Sequence, residues 1–145
     1  MQKIVPFLWF DGKAEEAAKF YVSIFKNSKI LSATPMSVTF QLEGQPFYAL
    51  NGGPQYKFTS AISLFVNCET QPEVDELWSK LTAGGSDEQC GWLKDKYGLS
   101  WQIIPQTLGR LLNDKNRTKA NAAMQAMLKM KKIDIKTLQQ AFDAA

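Results

Sequence analysis

The sequence predicts an α+β fold: two β-α-β-β-β modules forming curved mixed sheets, followed by a C-terminal helical extension. Three observations predict it. First, a strand–helix pair recurs. Phe7-Leu8-Trp9-Phe10 precedes a helical pattern containing Phe20-Tyr21, and Ser63-Leu64-Phe65-Val66 precedes one containing Leu77-Trp78. The offset is 56 at the strands (7 to 63) and 57 at the helices (20 to 77), a repeat of one supersecondary unit. Second, each helix is followed by short alternating or apolar segments broken by glycine turns. Third, the pattern beyond Pro105 is helical only.

The elements follow in order. Ala14, Ala17, Ala18, Tyr21 and Phe25 form one stripe of a first helix, the i, i+3, i+4 series of a buried face. Asp11-Gly12 is its entry turn. Asn27-Ser28 is its exit, because Asn tolerates the left-handed C-terminal position. Val38, Phe40 and Leu42 alternate with Thr39, Gln41 and Glu43, so one strand face is buried. Glu43-Gly44-Gln45 turns the chain and Phe47 to Leu50 returns as its partner. Gly52-Gly53-Pro54 opens the link between modules. Val74, Leu77, Trp78 and Leu81 are the stripe of the second helix; Thr70 and Glu73 form a capping box with Pro72 in the first turn, and Gly84-Gly85 ends it. Cys90 to Lys94 reads as a strand, Asp95 to Gly98 as a turn, and Leu99 to Ile104 as a strand stopped by Pro105. In the tail, Leu108, Leu111 and Leu112 start one helix. Ala120, Ala123, Met124, Met127 and Leu128 make another, and Asp134 caps a last one bearing Ile135, Leu138 and Phe142. These stripes dock on the domain or on a second subunit. The four Met residues from 36 to 130 read as gap-fillers.

The 145 residues, 45% hydrophobic and 21% charged, suit one globular domain at 1–145: module 1 at about 3–53, module 2 at about 60–105 and the tail at about 106–145. A chain of this length buries roughly 70% of its unfolded surface, so it needs no disulfide or metal staple. No apolar run approaches the ~18 residues of a membrane span. The start at Met1, Gln2, Lys3 and Ile4 shows no leader pattern, so a cytoplasmic location is expected. Cys68 and Cys90 are too few for a disulfide framework and fit no zinc spacing. From Pro105 onward 8 Lys+Arg face 3 Asp+Glu, whereas the rest of the chain carries 9 against 11. Nucleic-acid binding through this basic tail is not expected, because such asymmetry is more often the solvated face of helices.

Two stretches resemble a known family. Phe7-Leu8-Trp9-Phe10-Asp11-Gly12, followed by Ala14-Glu15-Glu16-Ala17 and Phe20-Tyr21, resembles the start of PhnB-like proteins. These belong to the vicinal-oxygen-chelate (glyoxalase/bleomycin-resistance) superfamily, in a subgroup often labelled 3-demethylubiquinone-9 3-methyltransferase-like. The run from Cys90-Gly91-Trp92 through Asp95-Lys96-Tyr97-Gly98 to Trp101-Gln102-Ile103-Ile104-Pro105 resembles it too. With the Ser63 strand and the Glu73 to Leu81 helix, the match spans about residues 3–105. The resemblance implies that each module curls its sheet around a cavity and that chains pair as homodimers. It also implies that some members hold a divalent metal as a Lewis acid while others only bind a small molecule. The methyltransferase label implies a Gly-rich strand-to-helix turn for S-adenosylmethionine. Gly52-Gly53, before Pro54, and Gly84-Gly85, after a helix, do not fit that turn.

In metal-binding relatives the ligands come from the first and last strands of each module. This chain has no His. Aligning Asp95-x-x-Gly98 with the family's turn puts Gln102 at the last-strand ligand position. Its first-module counterpart falls near Asn51, and first-strand positions fall among Pro6 to Trp9 and Ala61 to Ser63. Ser63, Asn51 and Gln102 offer only neutral oxygens, whereas catalytic zinc takes His, Asp, Glu or Cys and Mg²⁺ or Mn²⁺ want carboxylates. A high-affinity metal is therefore not expected, and Gln102 equally suits a hydrogen bond across the sheet.

The expected ligand-binding residues are Trp9, Asn51, Phe58, Ser63, Cys90, Trp92, Trp101 and Gln102: aromatic walls with a few polar groups, as in small-molecule pockets. Cys90, with Lys94 four residues on, reads as a small strand residue rather than a nucleophile, since no His can serve as its base. The expected function is small-molecule binding in an aromatic-lined cavity. Two alternatives stay open: a metal-dependent lyase, isomerase or dioxygenase of the glyoxalase type, and an interaction protein acting through the basic tail.

Overall fold

The structure, a computed structural model, describes residues 2–145, so Met1 of the N-terminal reading lies outside the described residues. The chain divides into two units, Met1–Phe58 and Thr59–Ala145.

In the first unit the order is β1 (Phe7–Phe10), α1 (Ala14–Ile24), β2 (Lys29–Ala33), β3 (Ser37–Leu42) and β4 (Gln45–Asn51). The sheet runs β1-β4-β3-β2, with β1 parallel to β4 and the other neighbours antiparallel. Period-2 patterning sends Leu8, Phe10, Val38, Phe40, Leu42, Phe47 and Ala49 to one buried face. There α1 lies on the sheet through Ala14, Ala17, Ala18 and Tyr21, all fully buried. Three alanines let the helix approach closely, and Tyr21 stacks on Phe40, which stacks on Phe47. Burying each such aromatic contributes about 1.5–3 kcal/mol. Phe25, expected on the stripe, is instead the extended residue that ends α1, and Asn27 takes the left-handed conformation at φ 48°. The β3–β4 hairpin turns on Glu43 and Gly44, both at positive φ, as a two-residue turn matched to strand twist requires. Strand β2 was not assigned from sequence. It is a mostly exposed edge with a register irregularity between Ile30 and Ser32, which erases the alternation that marks a half-buried strand.

The second unit repeats the plan: β5 (Leu64–Cys68), α2 (Gln71–Thr82), β6 (Ser86–Asp87), β7 (Trp92–Lys94) and β8 (Ser100–Pro105), in sheet order β5-β8-β7-β6 with β5 parallel to β8. Val74, Leu77, Trp78 and Leu81 of α2 are buried on the face of Leu93, Trp101 and Ile103. The Thr70 hydroxyl accepts from Glu73 N at 3.3 Å. The Glu73 carboxylate reaches back one residue further than a capping box requires, to Glu69 N at 2.7 Å.

The expected strand Cys90–Lys94 is shorter than its sequence suggests. Cys90 and Gly91 both have positive φ, at 58° and 83°, which a strand does not allow, so β7 begins at Trp92. Gly91 has no alternative there, because a Cβ would meet Ile104 Cδ1 and Ile133 Cγ1.

The tail forms α3 (Gln106–Leu112), α4 (Arg117–Met127) and α5 (Ile135–Ala144). Of the two docking modes left open, the one onto the chain's own domain is seen. Leu108, Leu111, Ala123, Ile133 and Leu138 form an apolar cluster with Ile104 of β8. Polar ties add to it. The Gln71 amide donates to Ile133 O at 2.9 Å and accepts from Ile135 N at 2.7 Å, and Lys132 pairs with Asp75 at 2.9 Å. Asp134 caps α5 by accepting from Lys136 N and Thr137 N. No helix among the described residues is long and apolar enough to cross a membrane.

Candidate functional site

Each sheet has one face under its helix and one face away from it. In the first unit, register puts Phe7 beside Tyr48 and Trp9 beside Leu50, with Thr39 next to Tyr48 on the third strand. Phe7 is 59% exposed and meets Tyr48 edge-on at 6.2 Å. The Trp9 indole N–H donates to Gly53 O at 2.9 Å, and its ring meets Tyr56 edge-on at 5.0 Å. Gly52 is obligatory at that contact, because a Cβ would fall inside the indole.

In the second unit, register puts Gln102 of β8 between Phe65 of β5 and Trp92 of β7. Gln102 and Trp92 are half-buried, and Phe65 is 52% exposed. The Gln102 Nε2 donates to Ser63 Oγ at 2.9 Å. Two residues before Gln102, Ser100 is buried and its hydroxyl lies 3.4 Å from that of Ser60. At the other end, Ile104 enters the cluster made with the tail helices.

The structure therefore brings Ser63, Gln102 and Trp92 together on one open face and puts Trp9 on the other unit's open face. The remaining expected residues lie elsewhere. Asn51 is on the helix side of its sheet: its Oδ1 accepts from Ala14 N at 2.8 Å and its Nδ2 donates to Pro35 O at 3.0 Å. Lys13, at the N-cap of α1, makes no side-chain cap bond, so Asn51 does that work from β4. Trp101 is 2% exposed on the α2 side, and its indole donates to Asp95 Oδ2 at 2.9 Å. The buried Asp95 carboxylate also accepts from Tyr97 N and Leu99 N, which makes the turn aspartate a scaffold group. Phe58 closes edge-on upon the core residue Phe10. Cys90 sits at the tail junction, its backbone N–H bonded to Met130 O. Lys94, four residues on, approaches Glu88 at 3.9 Å. Cys68 is fully buried, and burial, with Glu73 adding to it, pushes its thiol up to about 12.

Register also corrects the counterpart of Gln102. Trp9 and Phe65 occupy equivalent open-face places (9 to 65, the offset of 56), and their partners on the last strands are Leu50 and Gln102. Leu50, not Asn51, matches Gln102. A one-residue slip moves a residue to the other face, and Asn51 is one residue past. Phe65 is not among the expected residues, although its two-residue spacing from Ser63 places both on one face.

The open-face positions of the first and last strands are thus Phe7, Trp9, Pro46, Tyr48 and Leu50 in one unit and Ser63, Phe65, Asn67, Ser100, Gln102 and Ile104 in the other. None is a carboxylate, imidazole or thiolate. Among the described residues no group of three His, Cys, Asp or Glu could hold an ion. These residues do not fit a zinc site or an octahedral Mg²⁺ or Mn²⁺ site.

Two mixed four-stranded sheets, each with its first and last strands paired in parallel and a helix on one face, make up the vicinal-oxygen-chelate fold. Within it, the chain belongs to the 3-demethylubiquinone-9 3-methyltransferase family, whose model matches residues 2–104. A PhnB protein of Bacillus cereus is 39% identical, with 72% of this chain and 99% of that one covered at a TM-score of 0.67. A glyoxalase-related enzyme of Fulvimarina pelagi shares the fold at 17% identity, with 72% and 88% covered and a TM-score of 0.52. A fosfomycin resistance protein of Listeria monocytogenes, FosX, complexed with Mn(II) and sulfate, shares it at 16% identity, with 70% and 88% covered and a TM-score of 0.53. No curated protein matches this chain. The family match ends at residue 104, so α3, α4 and α5 lie outside it.

Proposed function

We propose that this chain is a small-molecule-binding protein whose ligand rests on an aromatic-lined open sheet face and is held without a high-affinity metal. The observation that carries this reading is the row Phe65–Gln102–Trp92. Two aromatic side chains flank one amide on three adjacent strands, on the face that α2 leaves open. Aromatic walls with one or two convergent polar groups are the ordinary composition of a ligand site. At the positions where a cation would need anionic donors, this chain supplies Ser63, Gln102 and apolar groups, which solvate a neutral molecule better than a dication. We place the protein in the cytoplasm and treat residues 1–145 as one functional domain that pairs as a homodimer, in keeping with the family resemblance. Light scattering of the purified protein reads the dimer directly.

The test of the reading is metal content followed by a stability titration. Protein prepared without an affinity tag or chelator should carry no stoichiometric metal. After stripping, Mg²⁺, Mn²⁺, Ni²⁺ and Zn²⁺ should leave its melting temperature unchanged, while a screen of planar apolar compounds should raise it. Stoichiometric metal, or a large stabilisation that Gln102→Ala abolishes, would instead make the metal-dependent enzyme the function to pursue.

A further inference from the structure

We propose that Gln102 and Ser63 read the edge of a neutral planar ring compound bearing adjacent N–H and C=O groups, a lactam or cyclic-imide edge, inserted between Phe65 and Trp92. The inference rests on the small-molecule reading above and names its ligand class.

The slot follows from register. Phe65 and Trp92 are each the direct cross-strand partner of Gln102. Their backbones are therefore two strand spacings apart, roughly 9.6 Å. A ring standing between them lies about 4.8 Å from each row, within the separation at which aromatic pairs attract. The floor of the slot is the amide. Its Nε2 is committed to Ser63 Oγ at 2.9 Å, which fixes the amide plane and leaves Oε1 to accept. The Ser63 hydroxyl, having accepted one bond, still has its own hydrogen to donate. The pair thus offers one acceptor and one donor side by side, the complement of a lactam edge.

Charge argues for a neutral ligand. A dication finds no anionic donor on this row, and a carboxylate would face the lone pairs of Oε1. Lys94, on the same face two residues from Trp92, is drawn toward Glu88 at 3.9 Å. Beyond the amide, Ile104 is covered by the tail cluster, so β8 offers no further polar group in that direction.

The experiment titrates the intact protein with 2-quinolone and with N-methyl-2-quinolone, following the Trp92 indole and Gln102 amide signals by NMR. The two probes share size and aromatic area and differ in the N–H. The expected result is that 2-quinolone binds about tenfold more tightly, the worth of one well-placed hydrogen bond. That preference should vanish in Gln102→Leu and in Ser63→Ala, whereas Phe65→Leu or Trp92→Leu should weaken both probes alike. Ser63→Ala is the smaller change and keeps the test valid if Gln102→Leu does not fold. Equal binding of both probes, lost in Trp92→Leu, overturns the edge-reading role and leaves the small-molecule reading standing. A preference that survives in both Gln102→Leu and Ser63→Ala overturns it too. Binding of neither probe overturns the inference together with the aromatic slot.

Discussion

Asp95 gathers the Trp101 indole and the backbone N–H groups of Tyr97 and Leu99 into a site 2% exposed to solvent. Removing the carboxylate leaves buried donors without partners, a loss that costs more than the bonds themselves. Asp95→Ala should therefore lower stability by about 2–4 kcal/mol, read as a fall in the urea midpoint at unchanged slope. The two thiols should differ as sharply. Cys68 is buried, with its thiol raised from the ordinary 9.0 to about 12, whereas Cys90 is half-buried at a turn. A thiol reagent should label Cys90 in the native protein and reach Cys68 only on unfolding. A raised thiol keeps its proton in the folded state while the unfolded chain loses it, so its stabilising effect is complete below pH 9 and is lost as pH rises from 9 toward 12. Cys68→Ala should flatten that alkaline limb of a stability–pH curve, and an unchanged limb would show that other groups cause it.

At the scale of elements, Asn51 shows why part of the site was legible and part was not. Its position at the end of a strand, near the place of a family ligand, made it a binding candidate. Its partners are the first N–H of α1 and a turn carbonyl; Lys13 has no acceptor with which to cap α1, but nothing local in the sequence shows that a residue 37 positions away supplies one. Asn51→Ala should cost about 1 kcal/mol, with faster hydrogen exchange at the N-terminus of α1. The stripes of α1 and α2, the β3–β4 hairpin and the three tail helices were legible because period and capping residues act over a few positions. The edges β2 and β6 were not, since a bulged strand and a two-residue strand carry no period. The docking of the tail rests on long-range ties, above all Gln71 bonding to Ile133 and Ile135 and Asp75 pairing with Lys132. Gln71→Ala should speed hydrogen exchange across α5 while leaving β8 protected. The Gln71 amide and the Lys132 ammonium hold the Asp75 carboxyl below the ordinary carboxylate range. The pair thus contributes in full above the unfolded carboxylate's titration and is lost as pH falls through the lower folded one, so in acid the protection of the α5 amides, taken relative to their intrinsic exchange rates at the same pH, should fall before that of the sheets.

For the whole molecule, the fold class follows from the repeat and the proposed function does not, because the face each strand leaves uncovered does not repeat its chemistry: Leu50 stands where the second unit has Gln102. Which residues share that face depends on a register of one residue. The offset of 56 was visible at the strands, and it pairs Trp9 with Phe65 once the last strands are placed. Pairing then sends Trp101 and Asn51 to the helix side and keeps Trp92, Gln102 and Ser63 on the open one. The family match covers residues 2–104 and so includes both sheets. The open face of this chain carries uncharged groups where a cation would need charged ones.

The measurement that bears most directly on that claim is ligand-observed NMR of the metal-stripped protein against a panel of neutral and anionic planar compounds, run once in EDTA and once in excess Mn²⁺. The account predicts that neutral compounds bind in EDTA, that Mn²⁺ leaves their affinities unchanged, and that Trp92→Leu abolishes binding in both conditions. Binding that appears only with Mn²⁺, and favours the anionic compounds, would contradict it.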